Sequence, residues 1–204
     1  MTDFALIPEQ FTLVEFDAAR VLELAHDAAA AVGFPDDVDV SIEVDEVLPA
    51  PLNGSQVDVR GDRVELWFTG GAFEDTHRGR ILDEELTRTA LGASLLRAKD
   101  RLSGAFADAP VDAELPERQR AIWDVYTDGR LARLGFAVKE PRRRYVYRLE
   151  CGFNDVSDAE YAQCWNAEAL TWADVKSIDE RLVAADPRER PKRTPVRRES
   201  LRQT

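Results

Sequence analysis

The stretch from Val38 to Phe68 constrains the fold more than any other part of the chain. Val38, Val40, Ile42 and Val44 alternate with Asp39, Ser41, Glu43 and Asp45. A period of two with one apolar and one polar set predicts a half-buried strand with a solvated acidic face. Val57 and Val59 then precede Gly61-Asp62, and Val64, Leu66 and Phe68 follow. A two-residue turn at Gly61-Asp62 sets Val59 opposite Val64 and Val57 opposite Leu66, so both strands bury the same face. Gly70-Gly71 ends this sheet segment.

Helices supply the cover. Asp17 caps a first helix running to Ala31, with Phe16 and Val21 at staple positions and Gly33 and Pro35 as the stop. Residues 80–103 read as one long helix through Leu82, Leu86, Leu91, Leu95, Ala98 and Leu102. Gly92 inside it costs about 1 kcal/mol relative to Ala, which implies close packing against a neighbour. After an acidic, Ala/Pro-rich connection over 104–115, Pro116 opens a helix carrying Ile122, Trp123, Tyr126, Leu131 and Leu134. Gly135 suits a left-handed C′ position, with Phe136 folding back on Leu131. Tyr145, Tyr147 and Leu149 alternate, which predicts a fourth strand over 144–150 entered through Arg142-Arg143-Arg144. Ser157 with Glu160, and Thr171 with Asp174, read as capping boxes for helices over 158–168 and 172–184. The expected fold is α+β: a small, mostly antiparallel sheet packed by helices, in one domain over residues 1–186. Residues 187–204 change to Pro, Arg and Ser with no apolar period, and read as a disordered basic tail.

Charge is laid out in blocks. Residues 1–75 hold 17 acidic side chains against Arg20, Arg60 and Arg63. Residues 118–148 hold nine basic against three acidic, and residues 187–204 seven against two. The whole chain has a net charge of −12. Abundant Arg, Ala and Asp in place of Lys reflect a compositional habit, but habit does not segregate sign along a chain. Such segregation points to electrostatic contact with partners. No apolar run approaches the ~18 residues of a spanning helix, so no membrane role is expected. Met1-Thr2-Asp3-Phe4 shows no secretory signal, and the two cysteines, Cys151 and Cys164, make no disulfide framework. The expected location is the cytoplasm.

Few residues offer chemistry. His26 and His77 are the only histidines, and neither has a second histidine at ligand spacing. His26 follows Glu23 by three residues on the first helix; His77 follows Glu74 and Asp75. Cys151 ends the expected fourth strand before Gly152 but lacks a base in sequence, and reads as a structural thiol, as does Cys164 beside Trp165. Arg142-Arg143-Arg144 with Tyr145 and Tyr147 interleaves cations with aromatics, as in single-strand binders. The acidic body disfavours nucleic acid. Pro191-Lys192-Arg193 and Arg197-Arg198-Glu199-Ser200 are basic clusters of the tail.

Helix, strand, hairpin, long amphipathic helix and a further helix, in that order, resemble the minimal core of zincin-like metallopeptidases. In that family the long helix carries His-Glu-x-x-His, two metal ligands one turn apart with a glutamate base between them. The superposable segment here is Glu84-Glu85-Leu86-Thr87-Arg88. The resemblance implies Glu85 in the general-base position and Glu84 and Arg88 in the ligand positions. Arginine cannot ligate a cation, and an i, i+4 pair of Glu84 with Arg88 puts a salt bridge where the metal belongs. An inactive relative over residues 17–135 is implied, with no metal and no other cofactor.

The expectation is therefore a non-catalytic interaction or regulatory protein that meets another protein through charged surfaces. Arg142, Arg143, Arg144, Arg193, Arg197 and Arg198 are its candidate binding residues. An enzyme on a zincin-like scaffold, with Glu85 as general base, is the first alternative; a nucleic-acid-associated protein is the second.

Overall fold

The computed structural model describes residues 2–52, 54–75 and 77–186. A four-stranded sheet is built from β1 (Phe4–Ile7), β2 (Asp39–Asp45), β3 (Ser55–Arg60) and β4 (Arg63–Thr69), in the spatial order β1-β2-β4-β3. The hairpin β3–β4 has the register that the alternation demands, with Val59 opposite Val64 and Val57 opposite Leu66. Gly61 takes φ 65° in its turn, which a side chain resists and glycine does not. The remaining pairings are parallel: β1 with β2, and β2 with β4. The α+β class holds, while the sheet is mixed rather than mostly antiparallel. The alternation predicts strands, not the direction in which they pair. β1 is an addition: four residues are too few to register as a period.

One face of the sheet is covered by α1 (Ala18–Val32) and α2 (Glu84–Leu102). The Asp17 carboxylate caps α1 by accepting from the backbone N–H groups of Ala19 and Arg20, and Gly33 closes the helix in the left-handed conformation. Asp83 caps α2 by accepting from the Leu86 N–H. The long helix thus starts at Glu84, not at residue 80. Residues Arg78–Leu82 instead form β6, paired with β5 (Glu74–Asp75). Gly92 permits the approach its position implies. A Cβ there would stand 2.7 Å from the Phe136 ring and 3.1 Å from Leu131.

Four more helices follow: α3 (Glu117–Arg133), α4 (Glu140–Cys151), α5 (Asp155–Asn166) and α6 (Trp172–Ala185). They enclose a second apolar cluster around Phe106, Trp123, Tyr147, Tyr161, Trp172 and Ile178. α3 serves both clusters, because Leu131 in its last turn and Phe136 just beyond it pack with the sheet and α2. Gly135 adopts φ 79°, and the Phe136 N–H donates to the Leu131 carbonyl, as a left-handed C-cap requires. Thr171 and Asp174 form the expected capping box of α6.

Two expectations fail in this half. Residues 144–150 are not a strand but the body of α4. Pro141 near its N-terminus is a good helix starter, and Tyr147 and Cys151, four residues apart, share its buried face. α5 begins at Asp155, with Asn154 rather than Ser157 as N-cap; Ser157 supplies the backbone N–H that Asn154 accepts.

A seam of buried charge joins the clusters. Asp112 is 3% exposed at its side chain and accepts from Arg97 at 2.9 Å and Arg101 at 2.8 Å. Its second oxygen accepts from the Val57 N–H of β3 at 2.9 Å. Asp100 accepts from both Arg130 amino groups and from the Trp123 indole. Arg97 and Arg101 also lie over the Trp123 ring, at 4.7 and 5.1 Å from its centre.

Candidate functional site

Along a strand, Arg142 and Arg144 would share a face. On α4, successive residues turn by about 100°, so the triplet disperses. Arg143 points inward and donates to Asp128 at 2.5 Å and Asp124 at 3.0 Å. Burial opposes its charge, but the two carboxylates outweigh that and hold the guanidinium more firmly protonated than usual. Burial also lifts the Asp128 carboxyl above its ordinary range while Arg143 opposes the lift. The short, paired geometry favours the ionic form of both. Arg144 donates to Glu140 at 3.0 Å and lies 4.8 Å from the centre of the Tyr161 ring. Arg148 is held in two bonds by Asp158. Of the four guanidinium groups of α4, that of Arg142 alone stands exposed without an ion pair or hydrogen bond to a described residue. Most of the basic block is paired within the fold, Arg143 on the buried side of α4 and Arg144 and Arg148 at the surface.

Glu85, Arg142 and Arg143 do come together, at a cleft of about 630 Å³ between α2, α3 and α4. Its floor carries Ser94, Arg97, Asp124, Thr127 and Asp128. Acid and base cancel there: Arg97 with Asp112, Arg143 with Asp124 and Asp128. Glu85 is an exposed residue of the first turn of α2. Its neighbours do not pair with each other as their spacing suggests. Glu84 is taken by Arg20 at 2.6 Å, from α1, and Arg88 lies over Phe136 at 4.0 Å.

Histidine and cysteine are engaged elsewhere. The His26 ring packs edge-on to Phe4, 4.9 Å between centres, and the His77 backbone N–H donates to Asp75. Among the described residues no group of three or more His, Cys, Asp or Glu is placed to hold a metal ion. Cys151 and Cys164 are buried free thiols, and burial pushes each up to about 12. A thiol held neutral in this way is a packing group rather than a nucleophile. Arg193, Arg197 and Arg198 lie outside the described residues. No helix among the described residues is long and apolar enough to cross a membrane.

The acidic strand face is the feature that structure enlarges. The register places Ile7, Glu43, Trp67 and Gln56 in one row across the sheet, and Ala5, Ser41, Glu65 and Asp58 in the next. Asp39 stands beside Arg63 at one end. Ala5, Ile7, Asp39, Gln56, Glu43 and Glu65 are all exposed. Ile7, at 51% exposure, is the largest apolar side chain open on this face. Trp67 is half-buried, with Gly54 against its ring. Arg60 pairs with Asp58 at 2.6 Å and approaches Glu65 at 3.9 Å, which leaves Asp39 and Glu43 as carboxylates of this face without an ion pair to a described residue. Sequence alternation marked β2 as acidic on one side. Ile7 and Trp67 escaped it because their place on that face depends on strand order.

Neither a protein-family model, nor a curated protein, nor a solved structure matches the chain.

Proposed function

We propose that this chain is a non-catalytic interaction protein that docks a basic, extended segment of a partner protein on the open face of its four-stranded sheet. The observation that carries this reading is the one-sided cover of the sheet, which leaves Glu43 and Glu65 exposed around Trp67 and Ile7. A net charge of −12 favours encounter with cations from a distance. At contact, Glu43 and Glu65 receive guanidinium or ammonium groups, the Trp67 ring offers a face for a cation, and Ile7 takes an apolar side chain. The pairing of Arg143 with Asp124 and Asp128, of Arg144 with Glu140 and of Arg148 with Asp158 leaves less free positive charge on α4 for an acidic partner or nucleic acid.

The test is a titration with an arginine-rich peptide, followed by amide chemical shifts at about 20 mM and 200 mM salt. Shifts should map to the outward residues of β1, β2 and β4 and shrink strongly at the higher salt. The double change Glu43→Gln with Glu65→Gln should weaken binding several-fold with no loss of thermal stability, both residues being exposed. Equal binding by that variant, or shifts confined to α4 and the cleft, would refute the reading.

A further inference from the structure

The helix α4 is apolar on two sides. Tyr147 and Cys151 face the second core and are 0% and 1% exposed. Outward stand Tyr145 at 58%, Val146 at 39% and Leu149 at 48% exposure, and the stripe continues through Phe153 at 63% and Val156 at 42%. Tyr145 and Phe153 touch, with ring centres 6.3 Å apart. Six of the twelve residues of α4 are charged, yet this outward apolar stripe has no cover from a described element. Large apolar side chains exposed together in this way mark a contact surface, with Val146 standing where the stripe meets the cleft between α2, α3 and α4.

The charges that flank the stripe say what covers it. Arg142 lies on the outward face at its N-terminal end and Glu150 near its C-terminal end, both exposed, and neither side chain has a partner among the described residues. Arg142 precedes Val146 by four residues, and Glu150 follows it by four. A two-fold axis passing by Val146 therefore brings Val146 against Val146 of the partner subunit, Arg142 against Glu150 of the partner subunit, and Tyr145 beside Leu149 of the partner subunit. The second copy returns the same contacts, as an isologous interface must. In a parallel pairing, Arg142 would meet its own copy, like charge on like.

We propose that the outer face of α4 is a homodimer interface, with the two α4 helices packed antiparallel about Val146. The stripe supplies the attraction and the two Arg142–Glu150 contacts set direction and register, as flanking charges do in paired helices. Two chains of net charge −12 repel each other. Added salt screens that repulsion while leaving the apolar contact in place, so the dimer should strengthen from about 20 mM to about 300 mM salt. The peptide interaction proposed above does the reverse, and the two surfaces lie on different elements, so one can fail without the other.

Sedimentation of the full chain over a range of concentrations tests this. A monomer–dimer equilibrium is expected. Leu149→Glu should weaken it by about tenfold or more, and its melting temperature should stay unchanged because Leu149 is exposed. Arg142→Glu and Glu150→Arg should each weaken the dimer, and the two together should restore it, since the swapped charges again oppose. A chain monomeric at every concentration would overturn the proposal, leaving the stripe to some other partner. A dimer indifferent to Leu149→Glu would place the interface elsewhere. Weakening by both single charge changes without rescue by the double would refute the antiparallel register.

Discussion

Gly129 shows how a single residue can carry a helix contact. It lies inside α3, where glycine is intrinsically about 1 kcal/mol worse than alanine. A Cβ there would fall inside contact distance of the Trp165 carbonyl oxygen and 2.9 Å from its carbonyl carbon. That carbonyl is fixed from the other side, since it accepts from Arg133 at 2.6 Å, and Arg133 also donates to the Ala167 carbonyl at the C-cap of α5. Backbone cannot move aside as a side chain can. The clash therefore outweighs the propensity gain: Gly129→Ala should destabilise the fold by about 1–3 kcal/mol, read as a lower midpoint in urea unfolding. A midpoint unchanged or raised would mean that α5 shifts freely against α3. Nothing in the sequence around Gly129 announces this contact. Gly92 was legible because its neighbours form a clear apolar stripe, whereas the partner of Gly129 is a backbone atom some 36 residues away.

At the scale of elements, local pattern and three-dimensional context divide the credit. The β3–β4 hairpin, the caps of α1 and α6 and the close of α3 were readable, because each rests on residues within a few positions of one another. α4 was not. Tyr145, Tyr147 and Leu149 alternate as a strand would, and aromatic residues favour strands. In the helix the alternation arises because one apolar face is buried and another is open. The seam at Asp112 was equally hidden, because a short acidic connection gives no sign that one of its carboxylates will be buried. That carboxylate ties the 104–115 connection to β3 through Val57 and to α2 through Arg97 and Arg101. Asp112→Asn keeps an acceptor for the Val57 N–H but removes the carboxylate that pairs with buried Arg101 and the nearer of the two that pair with buried Arg97, the other being Asp124 at 4.0 Å. Removing one member of a buried ion set costs about 3–5 kcal/mol, and that is the loss expected in chemical unfolding. Faster hydrogen exchange at Val57 should accompany it. A loss under about 1 kcal/mol would show that the seam is solvated and joins nothing.

For the whole molecule, the dominant quantity is excess negative charge, and it sets where stability peaks. Self-repulsion at net −12 opposes the compact state at pH 7 and fades as the pH approaches the isoelectric point near 4.7. Several carboxylates stay ionised over that interval. Backbone N–H of His77 and the Arg78 side chain hold Asp75 low, Arg20 holds Glu84 low, Arg148 holds Asp158 low, and Thr171 holds Asp174 low. A carboxyl whose folded value is depressed stabilises above its ordinary value, 3.8 for Asp and 4.5 for Glu, and loses that contribution as pH falls through the folded value. At pH 5 these contributions remain while most of the repulsion is gone. On the alkaline side, Cys151 and Cys164 hold their protons to about 12 against 9 ordinarily, so stability falls as pH rises through that window. The melting temperature in about 10 mM salt should therefore be higher at pH 5 than at pH 7.5, with a fall below pH 4 as the paired carboxylates protonate. Raising salt to about 150 mM, where the Debye length is about 8 Å, should lift the pH 7.5 value toward the pH 5 value and change the latter little. A maximum at pH 7–8, or a gap that salt does not narrow, would mean that specific ion pairs rather than net charge govern the pH profile.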